Sequence, residues 1–168
     1  MASQAAAAIG GRLVGPDTVF DGADFDSRSI RPGQLFVPIV AERNGHEFIG
    51  QARAAGAVAH LTSEPDSFRR DGTAIEVADT GRALLALAQW ARQQLDARVV
   101  GVTGSVGKTT TQDMIAAACS VGRRTAANPR SFNNDQGLPV TILDAPDDTE
   151  VLIVEMGMRG FGEISRLC

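Results

Sequence analysis

The chain has 168 residues, of which 43% are hydrophobic and 21% charged, and a formal net charge of −4. That length suits one medium domain or two small ones, and that balance supports a packed core rather than disorder. An acidic chain without a basic stripe disfavours nucleic-acid binding, and no run reaches the roughly 18 apolar residues of a membrane span.

In chain order, the first fifteen residues are small and carry little signal. Ala5-Ala6-Ala7-Ala8-Ile9 lacks the basic flank and long apolar run of a secretion signal, so a cytoplasmic protein is expected. A strand is expected over 18–25, then a polar turn at Asp26-Ser27-Arg28-Ser29 and a tight turn at Arg31-Pro32-Gly33. Residues 35–40 read as a strand that Pro38 confines to an edge or bulge. Asn44-Gly45 is a turn, 47–55 a helix ended by Gly56, 57–61 a strand, 64–72 a charged loop and 74–77 a further strand. Asp79-Thr80 caps a long helix running to about Asp96, with Leu84, Leu87, Ala88, Ala91 and Leu95 at helical spacing. A domain boundary is expected at 96–98, giving domains over 1–96 and 97–168.

The second part opens on the most informative stretch. Val99, Val100 and Val102 form a strand expected to be covered on both faces. It runs into Thr103-Gly104-Ser105-Val106-Gly107-Lys108-Thr109-Thr110 and a helix over 108–120. Glycines permit a sharp turn and close backbone approach, and the helix start offers free N–H groups and a partial positive charge. Lysine reaches terminal phosphates and the adjacent hydroxyl can hold Mg²⁺. The spacing is the shorter Thr-Gly-x-x-Gly-Lys-Thr form, and the alternative is a plain strand-to-helix turn with a surface lysine. Met114, Ile115, Ala118 and Cys119 are the expected inner face of the helix, Cys119 being a core thiol of a reducing compartment. Cys119 and Cys168 show no metal spacing. Residues 123–127 return as a strand, 128–137 form a polar loop, 138–143 are short and apolar, and 150–157 form a second buried strand. A helix is expected from Gly162. The fold class is therefore α/β: a small N-terminal α/β domain, then the start of a doubly wound parallel sheet with a P-loop, with ligands at the carboxyl ends of its strands. About three strands, against the ~5–6 of a typical sheet, suggest a chain cut within a domain.

Glu155, at a strand end on the P-loop edge, can complete a Mg²⁺ site with Thr109. The alternatives are an acid facing solvent or paired with Arg159. On residues alone Asn133-Asn134-Asp135-Gln136-Gly137 reads first as an ordinary turn with a helix cap, and Asp26-Ser27-Arg28 first as a surface turn, with a phosphate contact by hydroxyl and guanidinium as its alternative. His46 precedes a helix and reads as a local hydrogen-bonding residue; His60, within an apolar strand, reads as structural.

Together these stretches resemble the Mur ligases of peptidoglycan synthesis. The likeness rests on Asp26-Ser27-Arg28 with Pro32-Gly33-Gln34-Leu35-Phe36-Val37, on Gly45-His46-Glu47-Phe48-Ile49, on the 103–110 loop, on Ser131-Phe132-Asn133-Asn134-Asp135-Gln136-Gly137-Leu138-Pro139, and on Glu155-Met156-Gly157 with Gly162-Glu163-Ile164. It runs from about residue 20 to the end. The resemblance implies an ATP-dependent amide ligase of the cell wall that activates the carboxylate of a UDP-N-acetylmuramoyl tripeptide as an acyl phosphate. The Asn-Asn pair and the Thr-Gly-Ser opening favour the branch whose amine substrate is D-alanyl-D-alanine over the tripeptide-forming branches.

The resemblance also implies roles. ATP would be held by Thr103, Gly104, Ser105, Val106, Gly107, Lys108, Thr109 and Thr110, with Mg²⁺ on Thr109 and Glu155. Lys108 and Glu155 would be catalytic. Ser27, Arg28, Gly45 and His46 would meet the UDP end, and Asn133 and Asn134 the join between substrate and ATP. The loop before His46 is shorter than the family's usual version. The family's later central-domain histidine and modified lysine, and its third domain, have no counterpart, so an inactive fragment, acting as a monomer without nucleic-acid or membrane partners, is expected. The alternatives are another Mur ligase that adds the third amino acid, a non-catalytic paralogue that binds UDP-muramoyl peptide or ATP, and an unrelated P-loop phosphotransferase.

Overall fold

A computed structural model describes residues 1–64, 72–129 and 132–157. The charged loop expected at 64–72 falls mostly outside the described residues. Ser131, Arg159, Cys168 and the helix expected from Gly162 fall wholly outside them. The chain divides into two compact units, Met1–Trp90 and Ala91–Cys168. The division comes earlier than the 96/97 junction read from the sequence.

In the first unit, α1 (Ala2–Ala8) and β1 (Arg12–Val14) occupy the stretch that carried little signal. Alanine is the best helix former, and Ala2, Ala5 and Ala6 bury one face of α1. The strand expected over 18–25 is only β2 (Ala23–Asp24), and that over 35–40 only β3 (Leu35–Phe36). A 3₁₀ turn (Gly45–Phe48) leads into α2 (Ile49–Ala54), followed by β4 (Ala59–Thr62), β5 (Thr73–Glu76) and α3 (Thr80–Gln94). The sheet order is β1-β5-β4-β3-β2, all pairs parallel except β1 with β5. Ile30, Phe36, Ile49 and Ala52 form a core cluster beneath α2.

In the second unit, β6 (Arg98–Val102), α4 (Lys108–Ser120), β7 (Thr125–Ala127), α5 (Gly137–Leu143) and β8 (Val151–Glu155) build a parallel sheet of order β6-β8-β7. Strand β8 is central and buried along its whole length, as a run of Val-Leu-Ile-Val in a parallel sheet requires. Alternation along it divides the core. Val151 and Ile153 pack toward Ile115, Ala116 and Cys119 of α4. Leu152, Val154 and Met156 pack with Leu138 and Ile142 of α5. Each buried aliphatic side chain contributes about 1.5–3 kcal/mol.

Three expectations are corrected here. Val99 is 40% exposed, because β6 is an edge strand among the described residues and not a strand covered on both faces. The inner face of α4 is Gln112, Ile115, Ala116 and Cys119; Met114 and Ala118 point outward. The apolar run at 138–143 is helical, and Pro139 is tolerated because it lies in the first turn. No helix among the described residues is long and apolar enough to cross a membrane.

Candidate nucleotide and metal site

The candidate site lies at the carboxyl edge of the second sheet. Register pairs Val102, the last residue of β6, with Glu155, the last of β8. The loop 103–107 therefore starts beside Glu155. Gly107 caps α4 with φ +78°, a left-handed conformation that costs a side-chain-bearing residue roughly 1–2 kcal/mol. Residues 103–107 are exposed, leaving the loop's backbone open to a ligand. The Thr103 hydroxyl donates to the Met156 carbonyl at 3.1 Å and ties the loop to the residue after β8. The Lys108 ammonium donates to the Gly104 carbonyl at 2.8 Å, arched over the loop it would share with a phosphate. Thr110 is exposed, about 100° around the helix from Thr109.

Period-two alternation places Glu155 on the same face of β8 as Val151 and Ile153, the face that α4 covers. Its carboxyl thus meets the first turn of that helix. The Thr109 hydroxyl donates to Glu155 Oε2 at 2.7 Å, and the Asn133 amide donates to Oε1 at 2.7 Å. Glu155 is only 4% exposed; these donors and the positive helix end compensate a carboxyl removed from water. Thr109 keeps its oxygen lone pairs while its proton goes to Glu155. A hydroxyl and a carboxyl, both hard oxygen donors, are the ligand set Mg²⁺ takes when phosphate oxygens and waters complete its shell. No group of three or more His, Cys, Asp or Glu among the described residues forms a dedicated metal cage.

Asn134 points away from this carboxyl. Its side-chain oxygen accepts from the backbone of Gln136 at 3.1 Å and of Gly137, the first residue of α5, at 2.9 Å. The two neighbours thus have different partners: Asn134 bonds the backbone at the start of α5, and Asn133 bonds Glu155. Two further polar residues at this edge were not singled out from sequence. Asn128 and Gln112 are 5% and 3% exposed and hydrogen-bond each other. The available signal was Asn128-Pro129 at a strand end, where proline stops the ladder and the residue before it stays extended.

The first unit holds a separate cleft of about 510 Å³, lined by Ser27, Arg28 and Gly45 together with Phe25, Phe36, Phe48 and Gln51. Buried Asp24 shapes the turn: it accepts from the Asp26 amide at 2.9 Å and the Ser29 hydroxyl at 2.8 Å. Ser27 donates to Gln51 Oε1 at 3.2 Å. Arg28 is forked onto Asp26, with contacts of 2.6–3.2 Å, and its side chain is 80% exposed. That guanidinium, by hydrogen bond first and charge second, holds the Asp26 carboxyl below its usual range. Gly45 lies so close to Ile39 that an added Cβ would come within 2.6 Å of its backbone nitrogen and oxygen.

His46 is placed differently from the expectation that it lines this cleft. It is 1% exposed; Nε2 accepts from the Ser63 amide at 3.0 Å, which leaves the Nδ1 proton for Asn44 Oδ1 at 2.8 Å. Burial lowers its pKa, so the neutral ring braces the loop behind the cleft.

Over residues 102–168 the chain matches the family described as Mur ligase middle domain. It is 43% identical to the UDP-N-acetylmuramoyl-tripeptide–D-alanyl-D-alanine ligase of Bacillus subtilis (strain 168), over 95% of this chain and 36% of that protein. It is 40% identical to the ligase of the same name from Escherichia coli (strain K12), over 97% and 36%. Among solved structures, the UDP-N-acetylmuramoylalanyl-D-glutamyl-2,6-diaminopimelate–D-alanyl-D-alanyl ligase from Acinetobacter baumannii superposes with a TM-score of 0.87 at 29% identity, over 99% of this chain and 38% of that one. The MurF ligase from Thermotoga maritima in complex with ADP gives a TM-score of 0.74 at 30% identity, over 92% and 36%. The chain spans 36% of the length of the two curated relatives.

Proposed function

This chain belongs to the Mur ligase family, and from that premise we propose that it supplies the UDP-substrate unit and the nucleotide-binding edge of an ATP-dependent ligase joining D-alanyl-D-alanine to a UDP-N-acetylmuramoyl tripeptide. The observation that carries this reading is the 2.7 Å contact between Thr109 and Glu155 at the start of the helix that follows the glycine loop. The relatives named for this reaction and the neighbour solved with ADP support it.

In the proposed reaction the tripeptide's terminal carboxylate oxygen attacks the γ-phosphorus of ATP, the bond to the β-phosphate oxygen breaks, and ADP leaves. The dipeptide amine then attacks the acyl carbon. It loses a proton and expels inorganic phosphate as the amide forms. Unaided, a carboxylate is a poor electrophile, and phosphorylation gives it a leaving group. Loop amides 104–107 and the α4 N-terminus bind the β-phosphate, and Lys108 leaves the Gly104 carbonyl for the β- and γ-oxygens. Thr109 and Glu155 would hold Mg²⁺, which supplies charge neutralisation on the phosphates. Asn133 keeps one Glu155 oxygen occupied and so orients the other. In the first unit, Ser27 and the cationic Arg28 would meet the diphosphate, with Phe25, Phe36 and Phe48 offering apolar surface to the nucleoside. An ATP-dependent step is proposed to take place in the cytoplasm.

The test is phosphate release by the protein purified from its own cells. The reading requires release that depends on ATP, UDP-muramoyl tripeptide and D-alanyl-D-alanine together. Tight binding of the two nucleotides without any release would favour a binding protein instead.

A further inference from the structure

Asn128 lies one residue beyond β7, at the point where the ladder between β7 and β8 would otherwise end. Its backbone amide makes the last rung, donating to the Ile153 carbonyl at 3.3 Å. Its side chain then continues the ladder. Asn128 Oδ1 accepts from the Glu155 amide at 2.7 Å, and Nδ2 donates to the Glu155 carbonyl at 3.3 Å. A carboxamide here stands in for a peptide group and holds both backbone polar atoms of Glu155. The same Nδ2 donates to the Phe132 carbonyl at 2.8 Å. It thereby anchors the residue next to Asn133, whose amide holds the Glu155 carboxyl. Gln112, on the inner face of α4, donates to the Asn128 carbonyl at 2.8 Å and to Oδ1 at 3.1 Å. It fixes which way the carboxamide faces, since only Oδ1 can accept from both Gln112 and the Glu155 amide.

One buried side chain thus holds both backbone polar atoms of Glu155 and, through Phe132, the segment that carries Asn133. Resting on the nucleotide-site reading above, we propose that Asn128, locked by Gln112, is the positioning residue that sets the Glu155 carboxyl for a divalent cation. Asn128, buried behind Glu155, would act through that residue without itself contacting nucleotide or metal. A looser Glu155 weakens the cation site and leaves the phosphate-binding loop unchanged.

The test is the affinity of the full chain for a fluorescent ADP analogue, with Mg²⁺ or with EDTA. In the unsubstituted chain Mg²⁺ strengthens binding. Residues that orient metal ligands typically carry tenfold or more of metal affinity, so Asn128→Ala is expected to lose about tenfold of the Mg²⁺-dependent gain while its affinity in EDTA stays within about twofold. Gln112→Met keeps the volume, removes the lock and is expected to lose about threefold. Amide exchange at Glu155 should rise in both variants. A purely structural role predicts lower stability with an undiminished Mg²⁺ gain, and that result overturns the inference. If Asn128→Ala does not fold, an undiminished gain in Gln112→Met overturns it alone. Lack of any Mg²⁺-dependent binding by the unsubstituted chain overturns the nucleotide reading itself, and this inference with it.

Discussion

Thr109 and Glu155 lie 46 positions apart in the chain and meet at 2.7 Å, the hydroxyl donating to one carboxyl oxygen. One comes from the first turn of a helix, the other from the last residue of a central strand. They converge because parallel register sets Val102 beside Glu155 and strand alternation turns Glu155 toward α4. What each residue does can be separated by substitution.

Lys108→Ala removes the one side-chain cation of the loop and leaves the backbone donors in place. ADP affinity in a calorimetric titration should fall about tenfold or more, since a charge-assisted contact is worth roughly 1.5–3 kcal/mol. Melting of the chain should hardly change, because Lys108 is tied only to the Gly104 carbonyl of its own loop.

Gly107→Ala tests the loop's shape. At φ +78° an alanine costs on the order of 1–2 kcal/mol, and nothing lies within 4 Å of its Cβ, so the effect is conformational and not steric. Urea unfolding should show the loss, and nucleotide affinity should drop with it as the loop amides turn.

Leu152→Ala probes the core that supports the site. Leu152 is fully buried beneath α5 in the central strand. The expected cost is about 2–5 kcal/mol in chemical denaturation. Leu152 points to the face opposite Glu155, so nucleotide affinity of the folded fraction should survive.

His60 gives the first unit a pH dependence. It is 2% exposed, and burial first, then Arg53 and His46, pushes its pKa down to about 4 from 6.5. The folded state therefore resists protonation. His60 contributes nothing to pH dependence above about 6.5, and stability falls as pH drops from there toward 4. The linkage amounts to about 2 kcal/mol lost by pH 5. Fluorescence of Trp90, the chain's one tryptophan, should follow the transition. His60→Gln should flatten that slope.

Much of this was legible in the sequence because local rules and tertiary packing agreed. Helix α4 begins at Lys108 and ends at Ser120 as the motif and spacing imply, and β8 follows from an unbroken aliphatic run, Val151 to Val154. Legibility failed where packing outweighed local pattern. Met114 carries an apolar side chain yet faces outward, while polar Gln112 faces inward to bond Asn128. No hydrophobic periodicity marks such a residue. His46 and Gly45 are neighbours in sequence, but only Gly45 lines the cleft, because the histidine ring turns inward to the Ser63 amide. The part of Asn134 at the start of α5 was visible as one of two readings. Its separation from Asn133, which bonds Glu155, is set by tertiary packing that no local pattern carries.

The most direct test of the central claim compares ADP binding by the unsubstituted chain and by Glu155→Gln, each with and without Mg²⁺. Gln keeps the side chain's size, its oxygen can still accept from Asn133 and its amide can donate to the Thr109 hydroxyl, while the charge a cation needs is removed. A cation site built on Thr109 and Glu155 predicts binding strengthened by Mg²⁺ in the unsubstituted chain, a gain largely lost in the variant, and equal affinities in EDTA. An equal Mg²⁺ gain in both proteins would contradict the assignment of Glu155.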